Sequence, residues 1–82
     1  MKGSQTRTTI LKALLTPRDR FQLAKDLDLD WATVDYHVQV LLKHNLITEK
    51  VVFGNVKFYE LTFTGSTLLA ALDELNKKDK GI

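Results

Sequence analysis

The stretch over residues 30–46, DWATVDYHVQVLLKHNL, constrains the fold of this chain most strongly. Four apolar residues recur at the helical period and form one stripe: Val34, Val38, Leu41 and Leu42. Asp30 is a good N-cap, because its carboxylate can accept from the free backbone N–H groups of the first turn. Asn45 follows the last turn, where a residue that tolerates a left-handed backbone is favoured. The sequence therefore predicts one amphipathic helix over residues 31–44.

The other side of this helix, its outward face, is unlike a surface that only has to be soluble. It carries aromatic, small or hydrogen-bonding side chains, whereas a merely solvated helix more often carries Lys and Glu there. The outward face consists of Trp31, Ala32, Thr33, Asp35, Tyr36 and Gln39. We interpret this helix as a recognition helix and the rest of the chain as its support.

Length and composition limit the alternatives. Eighty-two residues predict one domain, 1–82, and we expect residues 1–4 to be disordered. The net charge of +2 is compatible with binding to nucleic acid. The chain has no cysteine, which excludes disulfides and thiolate chemistry. No apolar run approaches the roughly 20 residues of a membrane span, and the first residues lack the apolar core of a signal peptide. These features predict a cytoplasmic protein without membrane contact.

Two further helices are expected before the recognition helix. Apolar spacing predicts the first over Gln5–Leu15, and Thr16 ends it because the residue before a proline is disfavoured in a helix. Asp19 begins the second, with Gln22 at the spacing of a capping box. Its inward residues are expected to be Phe21, Leu23, Ala24 and Leu27. Two short helices joined by a tight connection predict a helix-turn-helix arrangement.

After Leu46 the pattern changes to a β-hairpin and then a last helix. Strands are expected over Ile47–Phe53 and Val56–Thr62, which are rich in β-branched and aromatic residues. The two-residue loop Gly54-Asn55 supplies the positive φ of a hairpin turn. That loop pairs Phe53 with Val56 and sets Val51 opposite Phe58. Thr62 to Lys80 is helical, with an inward stripe of Leu68, Leu69, Leu72 and Leu75. The fold class predicted is α+β, mainly α: a winged helix-turn-helix of three helices, a hairpin wing and a C-terminal helix.

The chain resembles a family over part of its length. Residues 27–41 are similar to the helix-turn-helix signature of ArsR- and MarR-type winged-helix regulators, and Leu46-Ile47 closes that signature. Gly54 and residues 57–62 resemble the wing and its exit, and Gly65 falls where the family often has glycine. The resemblance implies a homodimeric transcriptional regulator of double-stranded DNA, with residues 31–44 in the major groove and the wing, 47–62, at the flanking backbone. It assigns the outward face to groove contacts and Asn55 and Lys57 to the wing tip.

Other residues have candidate roles of their own. Because cations at phosphates supply much of the affinity for duplex DNA, we expect four residues to neutralise phosphates: Arg18, Arg20, Lys50 and Lys57. The leucine stripe of the last helix is the expected dimer interface, although it could instead close the core of one monomer. His37 and His44 are too few for a metal site, which normally has three or four ligands.

The remaining alternatives concern the class of protein. The chain has no glycine-rich phosphate loop, nucleophile elbow or metalloprotease pattern, so we predict neither an enzyme nor a cofactor. The rival to DNA binding is a protein-interaction module that uses the third helix and the hairpin. The acidic residues near the third helix favour that rival, since phosphates repel them.

Overall fold

A computed structural model describes the backbone of residues 3–80 and the side chains of residues 5–75. The elements follow the predicted order of three helices, a hairpin and a helix. Their bounds are α1 Gly3–Ala13, α2 Arg20–Leu27, α3 Trp31–Lys43, β1 Ile47–Val51, β2 Lys57–Leu61 and α4 Phe63–Lys80. The predicted α+β, mainly α class is confirmed. Of the segment expected to be disordered, residues 1–2 lie outside the described residues, whereas residues 3–4 begin α1.

The predicted ends of α2 and α3 are observed as local hydrogen bonds and backbone angles. Asp19 Oδ1 accepts from the backbone N–H of Gln22, and Asp30 Oδ1 accepts from that of Thr33, each at 2.7 Å. Asn45 adopts a left-handed backbone with φ of 58° just after α3. These caps fix where α3 begins and ends, and therefore which side chains its outward face presents.

All four helices and the hairpin contribute to one apolar core. The predicted stripe of α3 is confirmed: three of its residues are buried, and Leu42 packs partly buried against them. The buried apolar residues are Ile10, Leu11, Leu14, Leu23, Val34, Val38, Leu41, Ile47, Tyr59 and Leu69. The stripe of α4 is less buried than predicted, because only Leu69 belongs to the core while Leu68 and Leu75 are exposed.

The predicted hairpin register is wrong by one residue. The ladder pairs Lys50 with Phe58 and Val51 with Lys57, instead of Val51 with Phe58. The turn does lie at Gly54-Asn55, with Gly54 at φ 53°. However, Phe53 is an extra residue before the turn, since Val52 N donates to Val56 O at 3.1 Å and Phe53 itself is 80% exposed. The shift sets Tyr59 opposite Glu49 and turns Tyr59 into the core.

The junction between α3 and α4 is closely packed. Thr62 Oγ1 donates to the carbonyl of Asn45 at 2.6 Å and accepts from the backbone N–H of Gly65 at 3.0 Å. A Cβ atom at Gly65 would lie 1.9 Å from the carbonyl oxygen of Leu46. Glycine is therefore required at position 65 for α4 to cross the end of α3 at this distance.

Candidate nucleic-acid interface

The outward face of α3 is not covered by the wing or by α4. Trp31 is 46% exposed and Tyr36 is 60% exposed. Ala32 and Gln39 are also exposed, whereas Thr33 and Asp35 are partly exposed. The structure thus brings the six predicted residues together on one accessible surface about two and a half helical turns long.

Two of those residues contact other predicted contact residues. Gln39 Nε2 donates to Asp35 Oδ2 at 3.0 Å. Asp35 Oδ1 lies 3.2 Å from Arg20 Nε, and the Arg20 N–H does not point along that line, so the contact is an ion pair rather than an aligned hydrogen bond. The negative charge of Asp35 is therefore compensated by a cation from α2.

Arg20 also connects α2 to the wing. Its guanidinium lies over the ring of Tyr59, 5.1 Å from the centroid, a distance at which a cation is attracted to an aromatic face. The Tyr59 hydroxyl donates to Glu49 Oε1 at 3.0 Å. Burial, together with this hydrogen bond, raises the pKa of Tyr59 to about 12. The buried tyrosine thus stays protonated and keeps donating across the hairpin at any physiological pH.

Arg18 forms a second connection between the helix-turn-helix and the wing. Its backbone N–H donates to the Tyr59 carbonyl at 3.2 Å, and its own carbonyl accepts from Tyr59 N–H at 2.9 Å. The Arg18 side chain forms an ion pair with Asp26 and donates from Nε to the Ala13 carbonyl at 2.7 Å. Arg18, two residues before α2, therefore acts as a one-residue strand beside β2, a pairing that the sequence pattern did not predict.

The wing carries the more accessible cations. Lys50 forms an ion pair with Glu60 at 2.5 Å on the hairpin surface. Lys57 and Asn55 are exposed, and Lys57 has no ion pair among residues 5–75. Of the four cations predicted to neutralise phosphates, Lys57 is therefore the most available, and the two arginines hold the domain together.

Phe21 is a surface residue that the sequence analysis placed inside. It is 76% exposed, and its ring packs against Trp31 with the centroids 5.0 Å apart. The helical period could have indicated this exposure, because Phe21 is two positions before the buried Leu23 and therefore lies roughly 160° from it around the helix. With Trp31, Phe21 lines a groove that reaches the wing at Val56 and Lys57.

His37 lies on the inner side of α3 rather than at the interface. It is buried, and its Nδ1 accepts from Arg7 Nε of α1 at 3.3 Å. Burial lowers the pKa of His37 below its ordinary value, and the nearby Arg7 charge lowers it further. The imidazole is therefore neutral at pH 7, with a structural contact to α1.

Residues 5–75 contain no group of three His, Asp or Glu side chains placed to share a metal ion. No helix within the described part of the chain is long and apolar enough to cross a membrane.

Comparison with known proteins gives one curated relative. No model of a protein family matches the chain. The chain is 43% identical over 60 residues to YvnA of Bacillus subtilis (strain 168), an uncharacterized HTH-type transcriptional regulator. That match includes 71% of this chain but only 38% of YvnA, so the chain spans well under half the length of its relative.

Solved structures agree on the fold. A double mutant of Lactococcus lactis ZitR in apo form matches 96% of this chain and 62% of its own with a TM-score of 0.85 at 18% identity. A transcriptional regulator homologue from Pyrococcus horikoshii OT3 matches 92% of this chain and 80% of its own with a TM-score of 0.79 at 26% identity. A mutant of S. aureus MepR bound to an oligodeoxyribonucleotide matches 96% of this chain and 59% of its own with a TM-score of 0.80 at 20% identity. The chain is therefore a winged helix-turn-helix domain, similar in sequence and fold to HTH-type transcriptional regulators.

Proposed function

We propose that this chain is a transcriptional regulator that binds specific sequences of double-stranded DNA. The observation that carries the proposal is the outward face of α3, a helix that is capped at both ends and whose outward side chains remain accessible at the surface of the domain. An α-helix fits the major groove of B-DNA, where base edges present hydrogen-bonding groups and the thymine methyl. Similarity to YvnA, and a fold shared with a MepR structure that contains an oligodeoxyribonucleotide, support it.

The proposal gives the outward face and the wing different roles. Gln39 has an amide that can pair with adenine, and Thr33 and Tyr36 have hydroxyls for bases or phosphates. Ala32 is small enough for close approach to the groove. Asn55 and Lys57 extend from the wing tip toward the flanking backbone. Arg18, Arg20 and Lys50 complete the set of cations expected near phosphates. The location proposed for such a regulator is the cytoplasm.

The test is the salt dependence of duplex binding. Fluorescence anisotropy of a labelled duplex, with protein titrated at 50 and 200 mM salt, measures the affinity at each. If about four cations contact phosphates, the affinity falls roughly a hundredfold between the two. Lys57→Ala would lower the slope by about one contact, whereas Lys12→Ala, whose lysine pairs with Asp73 away from the outward face, would not. Absence of binding at 50 mM salt would contradict the proposal.

A protein-interaction module is the second candidate, because the wing exposes apolar surface. Val51, Val52, Phe53 and Val56 are all exposed around the turn, and contiguous apolar surface often marks a protein contact. This candidate predicts no duplex binding at low salt, so the same titration separates the two.

We further propose that α4 supplies a homodimer interface. Leu69 faces the core, so the interface would use Leu68, Leu72 and Leu75, the first two of which line a groove with Leu46. Sedimentation equilibrium of Leu75→Glu should show a monomer where the unmodified chain shows a dimer. Ala70→Glu serves as the matched control, because Ala70 is exposed and faces away from this leucine stripe. A dimeric Leu75→Glu variant would exclude this surface.

A further inference from the structure

Phe21 and Trp31 form an aromatic pair that the core of the domain does not use. Phe21 is the second residue of α2 and Trp31 is the first residue of α3. Their rings pack at 5.0 Å between centroids with an interplanar angle of 36°. Neither belongs to the apolar core. Part of each ring is buried in this contact, but Phe21 remains 76% and Trp31 46% exposed, so apolar surface of the pair is available to a ligand.

The pair lies where both helices of the motif begin. In helix-turn-helix proteins the N-terminal residues of the recognition helix contact base edges, while the preceding helix crosses the sugar–phosphate backbone. The groove beside the pair is lined by Arg20 and by Lys57 of the wing, and also by Asp19, whose carboxylate caps α2. An apolar contact flanked by cations suits a duplex, in which base edges lie between two phosphate strands.

We infer that Trp31, held in position by Phe21, reads the methyl group of thymine in the major groove. The inference rests on the proposed function and names a specificity determinant within it. Thymine is the base that presents an apolar group at the major-groove edge. The exposed part of the Trp31 ring offers a matching apolar surface, whereas Gln39 and Thr33 offer hydrogen bonds.

Phe21 is a positioning residue in this arrangement. Its ring packs on Trp31 and restricts the indole, which would otherwise be free to turn at the helix start. Removing Phe21 should therefore weaken the preference for thymine over a base without the methyl group, while the contact itself remains apolar.

The experiment substitutes deoxyuridine for thymine, which removes the methyl group and keeps the hydrogen-bonding pattern. A duplex enriched from a random pool is remade with single substitutions at each thymine. The unmodified chain should lose about fourfold in affinity at the contacted position, the equivalent of burying one methyl-sized group. Trp31→Ala should bind both duplexes equally, Phe21→Ala should discriminate less than the unmodified chain, and Trp31→Phe should keep part of the discrimination.

Two controls separate this inference from the proposed function. Phe63 is 88% exposed at the start of α4, so Phe63→Ala should discriminate as the unmodified chain does. Because the chain has one tryptophan, its fluorescence should change on duplex binding. Salt-dependent binding with equal affinity for thymine and uracil duplexes, or discrimination retained by Trp31→Ala, would overturn the inference alone. Failure to bind any duplex would overturn it together with the proposed function.

Discussion

Arg20 Nε of α2 lies 3.2 Å from Asp35 Oδ1 of α3, so a cation predicted to reach phosphate and a carboxylate predicted to reach a base are partners of each other. The same guanidinium lies over Tyr59 of the wing. The ion pair reduces the repulsion that Asp35 would otherwise exert on a phosphate. It also leaves fewer unpaired cations at the interface than the composition suggests.

Replacement of Asp35 tests the role of this ion pair. Asp35→Asn removes a negative charge from the outward face and frees Arg20, so we expect tighter duplex binding by about 1 kcal/mol, or roughly fivefold in Kd. Asp73→Asn makes the same charge change on α4, where Asp73 pairs with Lys12, and should have little effect. Anisotropy titrations measure both. Weaker binding by Asp35→Asn would show that the carboxylate accepts from a base, such as cytosine.

Gln39 and Lys57 should affect binding in different ways. Gln39→Ala is expected to lose about 1–3 kcal/mol on the preferred duplex and little on others, because it removes hydrogen bonds to a base. Lys57→Ala should weaken binding to all duplexes about equally, since a phosphate contact carries no sequence information. Competition between preferred and scrambled duplexes measures the difference. If both variants lower the ratio of affinities for preferred and scrambled duplexes by the same factor, the separate roles proposed for α3 and the wing are wrong.

Gly65 should tolerate no side chain. Gly65→Ala places a Cβ atom 1.9 Å from the Leu46 carbonyl oxygen, and relief of that overlap requires α4 to move away from the end of α3. We expect the free energy of unfolding to fall by about 3 kcal/mol or more. Urea denaturation followed by circular dichroism measures it. Ser66→Ala, at the exposed neighbouring position, should change stability by less than about 0.5 kcal/mol.

The buried His37 should make stability depend on pH. Its pKa is lowered in the folded chain by burial and by Arg7, whereas the unfolded chain has the ordinary value of about 6.5. The unfolded chain therefore binds the proton first, and stability is complete above about pH 6.5 and falls as the pH drops from there toward the folded pKa. Urea denaturation at pH 7.5 and 5.5 measures the loss. His37→Gln should abolish this pH-dependent loss of stability, whereas His44→Gln should retain it. If His37→Gln shows the same loss as the unmodified chain, other groups are responsible for the pH dependence.

Features that depend on neighbouring residues in the sequence were predictable. The caps at Asp19 and Asp30 and the left-handed Asn45 each satisfy backbone groups within one turn, so the residue types alone indicate them. The apolar stripe of α3 has the same local origin. These signals were sufficient to place α3 and to predict which of its side chains lie on the outward face.

Features that depend on contacts between distant segments were not predictable in this way. The hairpin register turned on one residue, Phe53, which stays outside the ladder and thereby moves Tyr59 into the core. The ion pair between Arg20 and Asp35 and the packing of Phe21 on Trp31 both join α2 to α3. Residue type and spacing along one helix do not specify which partner on another helix a side chain will meet.

The backbone of Tyr59 forms two hydrogen bonds with the backbone of Arg18. The guanidinium of Arg20 lies over its ring, and its hydroxyl donates to the carboxylate of Glu49. These contacts attach the hairpin to the start of α2 at both Arg18 and Arg20. We therefore expect the base of the wing and α2 to move together when the domain meets a partner.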